Sequence, residues 1–182
     1  MQHLLWLDVE QCDAEDLDAP LLEVGAVVTD HQCRPIDCAS RVYHYGGPIF
    51  SFPEVVQKIH ERSGLWDECR QSPWSADSHW AWLDTLVERY WPRPQQAVLA
   101  GFNVGSFDHA ILKRRAPAEL LVRFSHRHFD LSTLRVMLNE NTTVWKADPG
   151  PHRALFDCFE AIRWYHRWRT VVGLPEVRLG PV

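Results

Sequence analysis

Acidic residues stand at the ends of two apolar segments, where carboxylates could hold a metal ion. Asp8 and Glu10 end the N-terminal apolar run, and Asp108 closely follows the apolar stretch Ala97–Phe102. Residues two apart on a strand point to the same face, and two carboxylates that close repel each other unless a cation lies between them. Carboxylate oxygens favour magnesium or manganese over zinc. The pair therefore indicates a site for a hard divalent cation.

A histidine and a fourth acid follow near the C-terminus. His152 and Asp157 are five residues apart. That separation is about 140° around a regular helix, so on one helix they would not share a face. Pro151 favours the start of a helix, and with the helix beginning near residue 153, His152 would lie on the preceding loop while Asp157 faces the site. An imidazole with an ordinary pKa of about 6.5 suits a base that takes a proton from water.

Each of these residues has an ordinary explanation when it is taken alone. An Asp-x-Glu pair is also typical of a solvated strand end, because most acids are exposed. Asp108 would lie in the first turn of a predicted helix, where acids interact favourably with the helix dipole. A single histidine is most often a surface or capping residue. The hypothesis of a metal site therefore depends on the complete set.

The composition is typical of one soluble domain. With 182 residues, 46% of them hydrophobic and 24% charged, the chain is long enough for a continuous core, and we expect a single domain, 1–182. Its apolar stretches are far shorter than the roughly 20 residues that a bilayer requires, and no signal peptide opens the chain. We therefore expect a cytoplasmic protein that does not contact membranes. A net charge of −5 argues against a broad footprint on duplex DNA, but it is compatible with substrate phosphates held through metal ions.

Cysteine usage gives little support for a structural metal. The five cysteines are odd in number and include no C-x-x-C pair, so we expect reduced thiols. A zinc site formed by His31, Cys33, Cys38 and His44 is an alternative, but its spacing matches no standard zinc finger.

The opening of the chain predicts an antiparallel meander. His3–Val9 is typical of a buried strand, and Leu21–Thr29, rich in β-branched residues, is typical of a second. The proline-containing stretch Asp30–Pro35 predicts a hairpin connection to a third strand at Ile36–Tyr45. The acidic pair would then lie at the end of the first strand.

Strands and helices alternate in the rest of the chain. The predicted elements are helices at Glu54–Arg62, around Trp80–Trp91, at Ser106–Arg115, Thr133–Leu138 and from Pro151 to about Thr170, strands at Ala97–Phe102 and ending at Phe129, and a loop at Asn139–Pro151. Asp130 or Ser132 is expected to cap the fourth of these helices. Strands first, followed by strands alternating with helices, predict an α/β fold with a mixed sheet flanked by helices.

The ordered set of motifs resembles the DEDDh family of 3′–5′ exonucleases, which includes proofreading exonuclease subunits, ribonuclease T and oligoribonuclease. The shared positions are Asp8 and Glu10 on the first strand, Asp108 in mid-chain, and His152 with Asp157 at the last helix. The resemblance covers about residues 4–169, and the segments most similar to oligoribonuclease are Leu22–Gly25, Val28–Asp30, Phe129–Leu134 and Ser63–Leu65 after a helix that contains His60. The resemblance implies a ribonuclease H-like α/β fold, with a mixed five-stranded sheet flanked by helices.

The same resemblance implies a role for each residue of the set. Asp8, Glu10 and Asp157 would hold one of two divalent cations, Mg²⁺ or Mn²⁺. Asp8 would bridge to the second cation, which Asp108 would support directly or through water. His152 would be the general base. Two cations about 3.5–4 Å apart stabilise both the attacking and the leaving oxygen of an in-line phosphodiester displacement.

Five further residues are candidates for substrate binding: Gln11, Cys12, Asn103, Phe107 and Arg127. Family members usually follow Asp-x-Glu with two threonines and a glycine that grip the 3′-terminal nucleotide, whereas Gln11, Cys12 and Asp13 follow here. Loop shaping by Asn103 and core packing by Phe107 are the alternatives for those two residues. Arg127 matches an arginine that contacts phosphate from the partner subunit in oligoribonuclease, which leaves a homodimer as an alternative to a monomer.

We therefore predict a metal-dependent 3′–5′ exonuclease that releases nucleoside monophosphates from single-stranded RNA or DNA ends or from short oligonucleotides. One alternative is a catalytically inactive nucleic-acid-binding module that retains the fold. Another is a phosphatase or a nuclease that cleaves internally. The choice between RNA and DNA stays open at this point, because it depends on contacts with the sugar 2′-hydroxyl.

Overall fold

The computed structural model describes residues 3–137 and 150–173, and its strands form one mixed sheet. The strands are β1 (Leu4–Gln11), β2 (Leu21–Thr29), β3 (Pro35–Val42), β4 (Ala97–Gly101) and β5 (Phe124–Asp130). They lie in the order β3-β2-β1-β4-β5. β2 pairs antiparallel with both β1 and β3, whereas β4 pairs parallel with both β1 and β5. The predicted meander and the mixed five-stranded sheet are thus confirmed.

Helices cover both faces of this sheet. In the described part of the chain they are α1 (Glu54–Arg62), α2 (Leu65–Gln71), α3 (Ala81–Tyr90), α4 (Asp108–Arg115), α5 (Ala118–Leu121), α6 (Leu131–Met137) and α7 (Ala154–Val171). Leu5 and Leu7 of β1 belong to the apolar cluster that includes α3 and α4, whereas Trp6 packs with α7 on the other face. Because side chains alternate along a strand, Asp8 and Glu10 point to the α7 face. None of the helices within 3–137 and 150–173 combines the length and apolar character that a membrane crossing requires.

β3 is shorter than the sequence predicts. β3 ends at Val42 rather than Tyr45, because the N–H groups of His44 and Tyr45 donate to the carbonyl oxygens of Trp74 and Cys69 (2.6 and 3.1 Å). Two helices, α2 and α5, were not predicted from the sequence, and they have only seven and four residues. Helices this short contain too few turns for apolar periodicity to identify them.

α4 begins at Asp108 rather than Ser106. The N–H groups of Ser106 and Phe107 both donate to the carbonyl oxygen of Asn103 (3.0 and 2.9 Å), so these residues form a turn before the helix. The predicted loop Asn139–Pro151 lies outside the described residues except for its last two.

α6 is capped by one of the two residues predicted for that role. Asp130 Oδ1 accepts a hydrogen bond from the N–H of Ser132 at 2.9 Å, so Asp130 rather than Ser132 satisfies the start of this helix. α6 accordingly begins at Leu131, two residues before the predicted Thr133.

The start of α7 rests directly on β2 at Gly25. A Cβ atom at this glycine would lie 2.4 Å from the backbone nitrogen of Leu155 and 2.5 Å from the carbonyl carbon of Ala154. Backbone atoms cannot rotate away, so Gly25→Ala should push the helix off the sheet. We expect a loss of about 1–3 kcal/mol in the free energy of unfolding, measured by urea denaturation.

Gly46→Ala is the matched control for this prediction. Its Cβ would meet only the His44 ring, at 3.3 Å, and a side chain can adjust. Equal stability of the two variants would contradict the close packing of α7 on β2.

Candidate active site

The predicted catalytic residues converge on a cavity of about 400 Å³ at the carboxyl ends of β1 and β4. Asp8 and Glu10 of β1 line it, together with Asp157 of α7 and His152 of the preceding loop. Asp108, at the start of α4, is 2% exposed and lies behind the cavity wall. The fold therefore brings the predicted acids and the histidine together.

Glu10, His152 and Asp157 present a compact set of ligand atoms. One ring nitrogen and one oxygen of each carboxyl group lie within 4.8 Å of one another. Carboxyl groups this close share a proton unless a cation takes its place. Among the residues that the structure describes, this is the group of histidine, cysteine and acidic side chains whose geometry suits a metal ion.

Asp8 and Asp108 form the deeper part of the site. Burial, and after it the charge of Asp108, raises the pKa of Asp8 well above its ordinary value. Burial also raises the pKa of Asp108 to about 8, although its carboxylate accepts hydrogen bonds from its own N–H and from that of Val9. Buried carboxyl groups with raised pKa values beside each other are a suitable setting for a bound cation.

The pKa values of the other two acids, Glu10 and Asp157, are also raised. Burial, followed by the charges of Asp157 and Glu23, raises the pKa of Glu10 to about 8. Burial raises the pKa of Asp157 as well, against the opposing charge of His152. Clustered acids with raised pKa values are characteristic of functional sites. The carboxylate oxygens fit Mg²⁺ or Mn²⁺, and a cation would favour the ionised carboxylates.

His152 lies on the loop before α7, as predicted, and in an unusual backbone conformation. Its φ angle is +46°, in the left-handed region, which residues other than glycine seldom adopt. The next residue, Arg153, is extended (φ −129°, ψ 127°) and α7 begins at Ala154. The prediction that Pro151 opens the helix is therefore wrong by three residues, because the left-handed turn at His152 interrupts the helical path.

Sequence reasoning missed Glu23 as a part of this region. Glu23 is 2% exposed, lies opposite Glu10 in the β1–β2 register, and binds the guanidinium group of Arg153. A signal was available, because Glu23 is the single acid in the otherwise apolar segment Leu21–Thr29. Arg153, in contrast, is indistinguishable by sequence from the exposed arginines of the last helix.

His60 of α1 also lies beside the site. It is 3% exposed, and its Nε2 atom lies 3.3 Å from the carbonyl oxygen of Gln11 and 3.9 Å from Oε2 of Glu10. Its ring packs nearly perpendicular to that of Trp66, with 5.3 Å between ring centroids. Burial lowers the pKa of His60, which favours the neutral imidazole beside Glu10.

Gln11 and Cys12, which the sequence suggests as substrate contacts, are turned away from the cavity. Gln11 is 5% exposed, and its amide donates to the carbonyl oxygens of Asp13 and Asp16 (2.5 and 3.3 Å). Cys12 is fully buried in the apolar cluster that includes Trp66 of α2. Neither side chain lines the cavity.

The other three substrate candidates also lie outside the cavity lining. Asn103 is exposed in the turn after β4, with a φ of +52°, a conformation that asparagine tolerates well. Phe107 packs, partly buried, against the cluster that contains α3 and α4. Arg127 is exposed on β5, at the edge of the sheet. Loop shaping and core packing thus account for the positions of Asn103 and Phe107.

Comparison with known proteins identifies relatives along almost the whole chain, although no family model matches. The oligoribonuclease of Nocardia farcinica is 31% identical over 181 residues, which cover 94% of this chain and 82% of the relative. The probable oligoribonuclease of Schizosaccharomyces pombe is 27% identical over 179 residues, covering 93% of this chain and 68% of the relative.

Solved structures support the same fold. Escherichia coli exonuclease I in complex with a 5cy-dT13 oligonucleotide superposes with a TM-score of 0.67 at 16% identity, covering 93% of this chain. The chain spans 41% of the length of that exonuclease, and the likeness shows the ribonuclease H-like fold. With this fold, the ordered acidic motifs and the similarity to the Nocardia protein over most of both chains, the chain belongs to the oligoribonuclease family of DEDDh-type 3′–5′ exonucleases.

Proposed function

We propose that the protein is a metal-dependent 3′–5′ exonuclease that releases nucleoside monophosphates from short single-stranded oligonucleotides. The observation that carries this proposal is the convergence of Glu10, His152 and Asp157 within 4.8 Å, next to Asp8 and its buried neighbour Asp108. Family membership supports the reaction class, and the acids support the requirement for a cation.

In the proposed mechanism the acids have distinct positions. Asp8, Glu10 and Asp157 would hold one divalent cation, and Asp8 with Asp108 would hold a second. Bound cations of this kind stabilise the attacking and the leaving oxygen of a phosphodiester displacement. The carboxylates themselves would keep the cations in place.

His152 would accept the proton of the attacking water at a ring nitrogen. Its loop places the imidazole beside the acidic side chains of Glu10 and Asp157, which would stabilise the imidazolium ion that forms. Proton transfer by a positioned base of this type contributes about 10²–10⁴-fold to a rate.

The substrate contacts are a further part of the proposal. With their side chains turned away, Gln11 and Cys12 would meet the terminal nucleotide through the backbone. Asn103 and Phe107 would support the turn at the rim of the site. Arg127 lies outside the cavity on the edge strand, so its contact with a bound strand requires a homodimer, in which it would reach the partner's site. Size-exclusion chromatography with light scattering tests that state.

Two arginines on the cavity wall are suited to the phosphates beyond the scissile one. Arg135 of α6 and Arg167 of α7 line the cavity beside Phe102 and Trp164, and the Arg135 guanidinium lies 5.5 Å from the Phe102 ring centroid. Aromatic rings next to guanidinium groups are the usual elements of single-strand binding. The acids alone would repel every phosphate that the cations do not neutralise.

Arg135→Gln and Arg167→Gln should therefore weaken the use of strands with several phosphates. For a five-nucleotide strand we expect kcat/KM to fall. The slope of log(kcat/KM) against log[salt] should become shallower by about 0.7 for each arginine removed. Hydrolysis of a dinucleoside monophosphate, whose single phosphate is the scissile one, should change little. Arg89→Gln, on the opposite face of the sheet, is the control, and equal effects of all three substitutions would contradict the assignment.

Digestion of 5′-labelled single-stranded oligonucleotides tests the proposed function. With Mg²⁺ or Mn²⁺ we expect a ladder of products shortened by one nucleotide at a time, its loss with EDTA, and a rate about 10²–10⁴-fold lower in His152→Ala. Parallel RNA and DNA series of two to about twenty nucleotides identify the preferred sugar and length. Binding without turnover would instead support an inactive module, and fragments from internal cleavage would support an endonuclease.

A further inference from the structure

The backbone that carries His152 is connected to the sheet by an ion pair between the partly buried Arg153 and the buried Glu23, outside the cavity lining. Arg153 donates to Glu23 through Nε (2.8 Å) and Nη2 (3.3 Å). The same guanidinium group donates to both carboxylate oxygens of Glu68 on α2, at 2.7 and 2.8 Å. Arg153 thereby connects β2, α2 and the loop before α7.

Glu23 also binds the backbone at the first residue of α7. Its Oε2 atom accepts the N–H of Ala154 at 3.1 Å, in addition to the bond from Arg153. The two residues that follow His152 are therefore held by one carboxylate. Free N–H groups at a helix start need such a partner, and an acid there is favoured by the helix dipole.

This arrangement is not what stability alone would require. A buried ion pair is costly to desolvate, and well-packed apolar side chains of similar size often stabilise a fold equally well. Glu23 also adds negative charge beside Glu10 and raises its pKa. The feature that needs such an anchor is the left-handed conformation at His152, with a φ of +46°.

We propose that Glu23 and Arg153 are positioning residues, which hold the loop so that the His152 imidazole faces Glu10 and Asp157. This inference rests on the proposed function, in which His152 is the general base. Arginine suits the task because its planar fork makes two directional bonds to each carboxylate, which a lysine cannot reproduce.

A double-mutant cycle tests whether Arg153 acts through His152. Arg153→Met should lower kcat on a dinucleotide by about 10- to 100-fold, the usual cost of losing a residue that orients a site group, with KM nearly unchanged. In the His152→Ala background the same substitution should alter kcat by no more than about twofold. An equal decrease in both backgrounds, or no decrease in the wild type, would overturn the proposal.

Two further measurements distinguish a failure of this proposal from a lack of enzymatic activity and from misfolding of the variant. In histidine-labelled protein, Arg153→Met should shift the His152 ring resonance, identified by its absence in His152→Ala, whereas Arg89→Met should not. An unshifted resonance overturns the proposal even if the enzyme is inactive on every substrate tried. If Arg153→Met does not fold, Glu68→Gln replaces it in the cycle, because it removes the exposed half of the anchor and leaves Glu23 paired. A decrease in kcat that persists at equal size without His152 would again contradict the positioning role.

Discussion

Replacement of Asp8 by asparagine is expected to abolish hydrolysis and at the same time to raise the Tm of the metal-free protein. The carboxylate lies at the junction of the two proposed cation positions, and losing several kcal/mol of charge stabilisation there corresponds to a rate decrease of about 10³-fold or more. Without a cation, however, the ionised form of Asp8 is destabilised by burial and by repulsion from Asp108, Glu10 and Asp157. Removing about 1 kcal/mol of this repulsion would raise the Tm by about 2–4 °C for a domain of this size.

The two effects are measured on the same preparation. Single-turnover rates with saturating Mn²⁺ give the catalytic loss, and calorimetry in EDTA gives the Tm. Asp77→Asn, at an exposed position before α3, is the control for the change in net charge. A variant that keeps its activity would remove Asp8 from the metal site, and a lower Tm would mean that Asp8 stabilises the fold without a cation.

The metal-free protein is expected to lose stability as the pH rises, and divalent cations should reverse that trend. Glu10 and Asp108 have pKa values raised from 4.5 and 3.8 to about 8 in the folded protein. Their contribution is therefore fully present below the unfolded pKa values and is lost as the pH rises toward 8. Between about pH 6.5 and 8.5, a loss of roughly 2 kcal/mol would lower the Tm by about 4–8 °C. Cations bind the ionised carboxylates, so the stabilisation that they provide should grow over the same range.

Thermal unfolding in EDTA and in excess Mg²⁺ or Mn²⁺, at a series of pH values, measures this linkage. In this pH range His60 and His109 do not disturb the measurement. Burial lowers the pKa values of both, so their titration opposes the trend only below about pH 6.5. Asp8→Asn should flatten the EDTA profile and reduce the gain from cations. A Tm that stays constant with pH in EDTA would mean that the acids are not buried together in solution.

Local pattern predicted the elements whose residues bury one regular face. β2 and α1 have the predicted bounds because their signals are confined to the element itself. Seven of the nine residues of β2 are apolar or β-branched, and α1 has a Pro–Glu start with a Ser–Gly end. The start of α7 and the end of β3 were not predictable in this way. Each is decided by hydrogen bonds to residues distant in sequence.

The sequence by itself determined which residues form the proposed site. Asp8, Glu10, Asp108, His152 and Asp157 are recognisable from their order and from their places at the ends of apolar segments, since charges there are costly without a function. Only the tertiary structure decided how the site is held together and where the substrate contacts lie. Glu23, Arg153 and His60 meet the site across strand pairing and helix packing, while the side chains of Gln11 and Cys12 turn away from it. Such contacts depend on the three-dimensional path of the chain, which no local spacing of residues encodes.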